Sequence, residues 1–536
     1  MRLTFMRILS VVFITTILVS CANRGTPSGG EEDIEPPVIL KAVPENFSTN
    51  FKGDEIQIYF DEYIKIKDVR KQLIISPPMD KDPTIIPMGG ASKYISIKIK
   101  DTLKVNTTYA FNFGQSIVDN NEENPYPYYR YVFSTGETID SLSIKGFIVD
   151  ALLEEPDTFV SVMLYDIDST YTDSIVYKEK PRYITNTLDS VTSFSIDNIK
   201  EGQYRLIALK DKNSNYLFNQ KSDKIGFKEG FISVPTDSSY QMTLFKEDVN
   251  FKAIKPKQDG ASRILFPYEG NYKDMRIKVL GETPEGYQTR IVKDVEKDSL
   301  YYWYKPKFEM DTTFFIVTNK VYTDTLKHRF RKFEADSLQL KMISSATLRF
   351  EEDFIIQGNI PFTTIDKSKI NLIDRDSLEI DYEVKYDSIF NRYSFSVKKE
   401  EGMNYFFKML PGTFTDFYEG VNKDTLDYKF RTKMKSEYGN IRVNLRNAKL
   451  PLIVQLVNQK GDVLYEKYAK DSPVVDFTDL VPKQYGLRAI FDTNANGTYD
   501  TGNYLLGIQP ERVSYAKEMD EVRSNFDQII EFILLE

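Results

Sequence analysis

The chain has 536 residues, with 70 Lys and Arg against 79 Asp and Glu, so its formal net charge is −9 at pH 7. This length exceeds what a single hydrophobic core organises, and the negative balance disfavours nucleic acid, or an anionic membrane held by charge, as a partner. Hydrophobic residues at 41% are enough for real cores, and 36 Phe with 35 Tyr favour strands over helices. We therefore expect several β domains.

The first twenty-one residues have the parts of a secretory signal peptide. Arg2 and Arg7 give a positive start, residues 8–19 form a short apolar run, and Ser20 precedes Cys21. The run is too short to span a bilayer as a mature helix. The Leu-Val-Ser-Cys ending resembles the lipobox of bacterial lipoproteins, which implies cleavage after residue 20 and lipid on Cys21. The alternative is an ordinary signal peptide with a chance cysteine at its end.

Cys21 is also the only cysteine in the chain. Once it carries lipid, no thiol is left for a disulfide, a zinc cluster or a nucleophile. Removal of residues 1–20 takes away two positive charges, so the mature chain has a charge near −9 − 2 = −11. No second apolar run long enough to span a membrane follows, so the membrane partner is expected to be reached through the lipid anchor alone.

Residues 21–35 are predicted to form the lipidated cysteine and a flexible tether. The stretch ANRGTPSGG after Cys21 is small and polar and cannot bury a core. An acidic cluster, Glu31-Glu32-Asp33, follows ten residues after the cysteine. In Bacteroidota lipoproteins, acidic residues soon after this cysteine can direct the protein to the cell exterior. Outer-membrane localisation is expected, with surface exposure left open, since a solvated linker accounts for the charges equally well.

Residues 36–138 are predicted to be a β-sandwich. Ile56, Ile58 and Phe60 alternate with polar residues, as do the isoleucines of the run 95–99, and turn signals separate the runs. The opening PPVILKAVPENFSTNFKGDEIQIYFDEYI and the closing YVFST resemble the bacterial Ig-like domain of S-layer proteins and Bacteroidota lipoproteins. The resemblance implies a sandwich fold and no chemistry.

Two further segments, 140–247 and 438–536, contain the same local pattern. The run from Gln203 to Asp211 repeats as the run from Gln484 to Asp492, with Tyr, Leu and Ala in register. Repetition at this separation predicts a duplicated domain and not a short-period solenoid. The pattern resembles the small prealbumin-like or carboxypeptidase-regulatory-like β-sandwich.

The region between these segments is again rich in predicted strands. Tyr405 and Phe430 echo Tyr109 and Phe133 of the first domain, so residues 340–435 are predicted to be a degenerate Ig-like domain. Residues 250–338 are predicted to be a further β-sandwich without an assigned family. The fold class is therefore all-β, with tandem Ig-like and prealbumin-like sandwiches after a cleaved lipoprotein signal peptide.

One loop has the spacing of a calcium site. Asp492, Asn494, Asn496 and Asp500 occupy positions 1, 3, 5 and 9, with Gly497 at position 6. The copy that starts at Asp211 lacks the glycine. Few carboxylates predict weak binding, and a turn in which Asp and Asn bond the backbone is the alternative. No other cofactor is expected.

Two aromatic runs are candidate protein interfaces. They are Tyr126, Tyr128, Tyr129 and Tyr131, and the run Tyr301, Tyr302, Trp303 and Tyr304. Neighbouring residues of a strand point to opposite faces, so some of these rings are expected on the surface, where Tyr and Trp often anchor partners or stack on sugars. Packing between domains is the alternative.

Catalytic patterns are not evident in the sequence. His328 is the only histidine and is expected on the surface of a strand, and no nucleophile elbow, phosphate loop or paired-histidine zinc pattern is visible. A glycosidase with unrecognised carboxylates remains the enzymatic alternative. The sequence favours a protein that is not an enzyme.

The anchor, the tandem sandwiches and the aromatic runs together predict a scaffold or docking subunit of an envelope complex. The expected partner is an outer-membrane β-barrel or another envelope protein, such as the machinery that assembles outer-membrane proteins or exports surface lipoproteins. The alternative is a surface adhesin or glycan-binding protein that uses Tyr301–Tyr304.

Overall fold

The computed structural model describes residues 33–187, 192–517 and 519–534. The chain divides into two compact units. Of the described residues, the first unit comprises 33–143, 182–187 and 196–201, and the second comprises 144–181, 192–195, 202–517 and 519–534. Among the described residues, no helix is both long enough and apolar enough to cross a membrane.

Residues 36–138, the first sandwich, contain eight strands and one short helix: β1 (Ile39–Val43), β2 (Glu55–Ile66), α1 (Val69–Gln72), β3 (Ile74–Ser76), β4 (Thr84–Ile86), β5 (Ser92–Lys98), β6 (Thr108–Asn112), β7 (Ile117–Asp119) and β8 (Arg130–Ser134). The segment 140–247, the second sandwich, contains β9 (Leu142–Asp150), β10 (Ser161–Asp166), β11 (Tyr183–Asn186), β12 (Ser193–Ile199), β13 (Gly202–Lys210), β14 (Lys224–Phe227), β15 (Ile232–Val234) and β16 (Ser239–Leu244), with a 3₁₀ turn at Asp173–Tyr177.

The segment 250–338, the third sandwich, contains β17 (Lys252–Ala253), β18 (Lys257–Gly260), β19 (Arg263–Glu269), β20 (Arg276–Leu280), β21 (Gln288–Lys293), β22 (Ser299–Lys305), β23 (Thr312–Asn319) and β24 (Tyr322–Arg329). The segment 340–435, the fourth sandwich, contains β25 (Leu340–Met342), β26 (Phe354–Gly358), β27 (Phe362–Ile365), β28 (Ile370–Asp374), β29 (Tyr382–Asp387), β30 (Arg392–Val397), β31 (Asn404–Met409), β32 (Phe414–Asp416) and β33 (Leu426–Arg431).

The segment 438–536, the fifth sandwich, contains β34 (Gly439–Arg446), β35 (Leu452–Val457), β36 (Val463–Ala469), β37 (Val474–Leu480), β38 (Gly486–Phe491), β39 (Val513–Tyr515) and β40 (Asp527–Ile533). Short 3₁₀ turns occur at Lys367–Lys369 and Lys435–Glu437. The predicted all-β fold of tandem sandwiches is confirmed, while the signal peptide lies outside the described residues.

The alternating residues of the first sandwich form its core as the sequence predicts. Ile56 pairs with Ile97 and Ile58 pairs with Ile95 between β2 and β5, and all four side chains are buried. Strand side chains alternate between faces, so the polar residues between them point outward. The second sheet contributes Phe111 and other aromatic rings to the same core.

The first, third and fourth sandwiches share one strand order. Their larger sheets run β1-β2-β5-β4, β17-β19-β22-β21 and β25-β26-β30-β29, and their smaller sheets run β3-β6-β8, β20-β23-β24 and β28-β31-β33. The larger sheets of the first and third sandwiches also contain β7 and β18, which pair with β2 and β19. Four strands facing three in the shared order is the arrangement of constant-type immunoglobulin domains. The third sandwich, to which the sequence assigned no family, therefore has the same arrangement as the first.

A repeated tyrosine contact supports the correspondence between the first and fourth sandwiches. Tyr109 pairs with Phe133 and Tyr405 pairs with Phe430 on adjacent strands, and both ring pairs stack. Each tyrosine hydroxyl accepts a backbone N–H from five residues earlier, from Lys104 at 2.9 Å in the first case and from Glu400 at 2.7 Å in the second. The sequence echo thus corresponds to the same structural position in both sandwiches.

The second and fifth sandwiches follow a different plan. Each contains a parallel pair between its first and last strands, β9 with β16 and β34 with β40. The repeated stretches are β13 and β38, where Ala208 faces Val162 and Gly226, and Ala489 faces Val454 and Ser514. The repeat seen in the sequence therefore corresponds to the central strand of each of these two sandwiches.

His328 does not lie on the surface, contrary to the sequence expectation. It is buried in the third sandwich beside Phe315 and Phe330, and its Nε2 is 2.8 Å from Gln258 Oε1. Strand β24 alternates, and position 328 falls on its inward face. Burial lowers the pKa of His328 from 6.5 to about 4, because desolvation penalises the charged imidazolium.

We expect His328 to make the protein sensitive to acid. Its folded-state pKa lies below the unfolded-state value, so its contribution is fully present above pH 6.5 and is lost as the pH falls toward 4. Against His328→Gln, which does not titrate, the wild-type protein should lose up to about 1.4 kcal/mol of unfolding free energy per pH unit in this range. Urea unfolding between pH 4 and pH 7 measures this difference. Parallel pH profiles for the two proteins would contradict it.

Candidate binding surfaces and polar loops

The described part of the chain begins after Cys21, so the predicted lipidation site and most of the predicted tether lie outside it. The sites that the structure places are the two aromatic runs and the Asp/Asn loop. A third feature, the contact between the second and fifth sandwiches, was not recognised in the sequence.

The first aromatic run is mostly internal to the first sandwich. Tyr131 is fully buried and its hydroxyl donates to the carbonyl of Pro44 at 2.8 Å. Tyr126 and Tyr129 pack edge to face at 5.8 Å and are partly buried against the core. Tyr128 is the exposed ring of the run, and its backbone has a positive φ of 57°. Tyr131, which we predicted to be a candidate interface residue, is therefore a core residue instead.

The second aromatic run forms strand β22 and faces inward on both sides. Tyr302, Trp303 and Tyr304 are buried, and Tyr301 is partly buried with its hydroxyl 3.0 Å from Asp294 Oδ2. Tyr302 and Tyr304 belong to the core of the third sandwich. Tyr302 and Tyr304 are therefore core residues, and the expectation of an exposed ring is wrong at Trp303, on the opposite face of the strand.

The other face of β22 is covered by the fourth sandwich. Trp303 packs in a cluster with Val292, Ile360 and Phe417. The Tyr418 hydroxyl donates to the carbonyls of Ser262 and Tyr304 at 3.0 and 3.1 Å. This is the packing between domains that the sequence left open as the alternative for this run.

The guanidinium of Arg263 packs on the same aromatic run from within the third sandwich. It lies over the rings of Tyr301 and Trp303, 5.1 and 5.0 Å from their centroids. A cation over an indole or phenol face is attracted by the ring quadrupole. The aromatic run is thus a joint between two sandwiches within the second unit.

The Asp/Asn loop directs its side chains to its own backbone. Asp492 accepts the N–H groups of Asn496 and Gly497 at 3.1 and 2.7 Å, and the amides of Asn494 and Asn496 donate to Asp500 at 2.5 and 2.8 Å. Burial opposes ionisation of Asp492, but these N–H donors outweigh it and lower its pKa. This is the Asx-turn geometry that the sequence offered as the alternative to a calcium site.

A second carboxylate supports each copy of the loop. Glu511 accepts the N–H groups of Thr493 and Asp500 at 2.9 and 3.1 Å. In the first copy, Asp223 accepts those of Lys212 and Asn219 at 3.1 and 2.8 Å. Over the described residues, no group of three or more His, Cys, Asp or Glu side chains is placed to hold a metal ion. The two loops therefore share a hydrogen-bonded architecture whose oxygens are largely occupied by N–H donors.

The loop that follows Asp500 attaches the fifth sandwich to the second. Tyr504 is buried against Phe227 with ring centroids 5.4 Å apart, and the Arg205 guanidinium lies 5.3 Å from its centroid. Its backbone N–H donates to the buried carboxylate of Glu247 at 2.5 Å. The side chain of Gln509 donates to the Phe227 carbonyl at 2.9 Å.

Arg488 makes a second attachment between the same sandwiches. It is buried, bonds Gln455 Oε1 at 2.7 Å through Nε, and donates to the Leu152 carbonyl through a terminal nitrogen. The repeat does not mark this contact in the sequence, because Arg488 corresponds to Ile207 in its register. A buried arginine needs hydrogen-bond partners, and Arg488 finds one of them in the other sandwich.

Comparison with known families places the first sandwich. The model of the bacterial Ig-like domain family matches residues 33–135. This segment is a bacterial Ig-like domain. The match covers the Ig-like domain alone, and no curated protein sequence matches the chain.

Solved structures align over most of the chain at low similarity. Domains 1–6 of the surface layer protein SbsC align with 10% identity over 91% of this chain and 68% of that one, at a TM-score of 0.16. The Bacillus anthracis TIE protein aligns with 11% identity over 95% of this chain and 76% of that one, at a TM-score of 0.15. The Bacteroides ovatus mixed-linkage glucan utilization locus protein SGBP-B aligns with 10% identity over 83% of this chain and 99% of that one, at a TM-score of 0.18. At these TM-scores the alignments carry no inference about this chain.

We expect Tyr504→Ala to loosen the contact between the second and fifth sandwiches. Removal of a buried aromatic side chain costs about 3–5 kcal/mol, because the transfer energy is lost and a cavity remains. Hydrogen exchange should rise in residues 501–510 and around Phe227, while β22 stays protected. Leu506→Ala, at an exposed position of the same loop, is the matched control. Equal exchange in the two variants would contradict a structural role for Tyr504.

Proposed function

We propose that this chain is a non-enzymatic, lipid-anchored scaffold or docking subunit of an outer-membrane complex. The observation that carries the proposal is the series of contacts within the second unit. The third and fourth sandwiches are joined at Trp303, the fourth and fifth at Arg349 and Tyr465, and the second and fifth at Tyr504.

The second and third sandwiches complete this series. Lys221 Nζ lies 2.8 Å from Glu269 Oε1, so each consecutive pair from the second to the fifth sandwich is in contact, and the fifth sandwich contacts the second. Domains of one chain move relative to each other unless their interfaces hold them, and a closed series removes hinges that an open string would keep. Rigid spacing between distant surfaces is what a scaffold requires.

The anchor supplies the other half of the proposal. Lipid on Cys21 would hold the chain at the membrane, and the Gly- and Ser-containing tether would let the domains search nearby. Tethering raises the effective concentration of each surface, so modest interfaces suffice to hold an envelope partner. An outer-membrane β-barrel, such as a component of barrel assembly or surface-lipoprotein export, is the partner we favour.

We expect Cys21→Ser to abolish lipidation. Each buried methylene of an acyl chain contributes about 0.8 kcal/mol to membrane affinity, so loss of the chains should release the protein from the membrane fraction. Labelling with an alkyne fatty acid, followed by membrane fractionation, measures both effects. Ser28→Ala, in the predicted tether, is the matched control and should remain labelled. Labelling that persists in Cys21→Ser would contradict the anchor.

The proposed β-barrel partner is tested with the wild-type protein in its native cells. Crosslinking before detergent solubilisation, followed by affinity purification, should recover a β-barrel protein in stoichiometric amount. Recovery of this chain alone, together with its complete removal by protease from intact cells, would contradict the docking role and favour a surface adhesin.

A second candidate function is glycan binding, and one surface of the first sandwich favours it. On the outer face of the β1-β2-β5 sheet, the rings of Tyr59 and Tyr94 lie 5.7 Å apart, and Tyr94 is 41% exposed. The Tyr59 hydroxyl donates to Gln57 Oε1 at 2.5 Å, and Ser96 Oγ donates to Glu55 at 2.7 Å. Exposed rings beside polar groups suit the flat faces and hydroxyls of a sugar chain.

This candidate replaces the Tyr301–Tyr304 run as the place to test glycan binding, because that run is largely buried. Tyr94→Ala should weaken retention on a polysaccharide affinity gel by about tenfold, which corresponds to a stacking contribution of roughly 1.4 kcal/mol. Phe47→Ala, at another exposed aromatic position of the first unit, should bind as wild type. Equal retention of the wild type and both variants on affinity gels made with a broad panel of polysaccharides would rule out glycan binding at this surface.

A further inference from the structure

The turn after Tyr504 projects three large apolar side chains into solvent. Leu505, Leu506 and Ile508 are 52%, 72% and 49% exposed. The residues around them, from Thr501 to Pro510, include no charged side chain. An isolated exposed leucine is ordinary, but three on one uncharged turn are a feature that a soluble surface does not need.

The base of this turn is held firmly. Tyr504 sits buried between Phe227 and Arg205, and Glu247 accepts its N–H at 2.5 Å. Thr501 Oγ1 donates to the Lys246 carbonyl at 2.7 Å and the Gln509 side chain to Phe227 at 2.9 Å. The second sandwich therefore fixes both ends of a segment whose middle it leaves uncovered.

The duplicate module shows that the exposed turn is not a requirement of the fold. In the second sandwich the equivalent segment, residues 211–223, includes Lys212 and Lys221, and its large apolar residue Phe218 is buried against Tyr177 at 5.2 Å. One copy of the module thus turns its apolar side chain inward under a charged surface. The other copy turns its aromatic ring inward and leaves its aliphatic residues outside.

Four backbone N–H groups of the turn are hydrogen-bonded within it. Asn503 and Ile508 exchange N–H to carbonyl bonds at 2.8 and 2.9 Å, Leu506 N–H donates to the Asn503 side chain at 3.0 Å, and Gly507 N–H donates to the Tyr504 carbonyl at 3.0 Å. Gly507 has a φ of +66°, which closes the turn. An apolar phase offers no hydrogen bonds, so each N–H group that is already paired within the turn lowers the cost of entering it.

The size of the tip distinguishes between a lipid and a protein occupant. A stable protein interface takes about 800 Å² from each partner, which three side chains on a convex turn do not supply. A bilayer surface makes no such demand, because a few aliphatic residues can insert beside the headgroups while an anchor holds the protein nearby.

We propose that the turn Asn503–Ile508 inserts into the lipid surface to which the chain is anchored, with Leu505, Leu506 and Ile508 as the inserting side chains. The inference rests on the proposed lipid anchor at Cys21 and adds a second point of membrane contact to it. Two contacts orient the second unit on the membrane, whereas a flexible tether alone leaves it free to rotate.

The test uses the full-length lipidated protein, reconstituted in vesicles of phosphatidylethanolamine and phosphatidylglycerol. Cys21 is the only native cysteine and its sulfur would be occupied by lipid, so Leu506→Cys provides a single thiol for an environment-sensitive nitrobenzoxadiazole dye. Val321→Cys, at a fully exposed position of the third sandwich, is the matched control. The dye at 506 should shift to the blue, brighten severalfold and be quenched by nitroxide placed on the acyl chains, and the dye at 321 should do none of these.

A protein that floats with the vesicles but shows the same spectrum at 506 and 321 overturns insertion and leaves the anchor standing. A protein that does not float overturns both. A spectral change that requires added outer-membrane proteins overturns lipid insertion in favour of a protein groove. With the dye at Ile508→Cys, the combined Leu505→Asp and Leu506→Asp substitutions should abolish the blue shift, and a shift that survives them overturns the assignment. These positions are exposed, so far-UV circular dichroism should confirm that the variants remain folded.

Discussion

The contact between the second and fifth sandwiches is the interaction on which the arrangement of the second unit depends. Consecutive sandwiches are joined by short connections and would be neighbours in any string of domains. The contacts that the loop after β38 and Arg488 make with the second sandwich join modules that are distant in sequence, and Tyr504, Glu247 and Arg488 are buried there. Buried charge without a partner is costly, so Glu247 and Arg488, which are hydrogen-bonded across this contact, favour the closed arrangement over an open one.

The two copies of the repeated module illustrate how one local design serves two purposes. In both copies an aspartate at the end of the central strand binds the backbone of a following loop, and a second carboxylate supports it. The design makes a compact loop out of residues that resemble a calcium-binding sequence. What differs is the continuation of the loop, which packs on its own sandwich in the first copy and reaches the other sandwich in the second.

The closed second unit and the tether predicted before it have complementary mechanical properties. A flexible tether sets how far the protein reaches, and fixed domain contacts set how its surfaces are spaced. A scaffold at a membrane needs both, because its partners must be found and then held at defined distances. The apolar turn at 503–508 would add a third property, a preferred orientation toward the lipid.

The sequence by itself determined the class of fold, because period-two alternation and β-branched residues leave few options other than half-buried strands. It also located both internal correspondences: Tyr109 and Tyr405 occupy the same corner, and the repeated Tyr-x-Leu-x-Ala runs are the same central strand. Local patterns suffice there because each is set within one sandwich. The sequence could not decide which aromatic rings are exposed. Trp303 lies on the face of β22 that points away from the core of its own sandwich, yet the fourth sandwich covers it. Only the tertiary structure, which brings distant strands together, decided that β22 packs against the fourth sandwich and that His328 is buried. It also decided that Tyr504 is buried against the second sandwich while Leu506 is exposed.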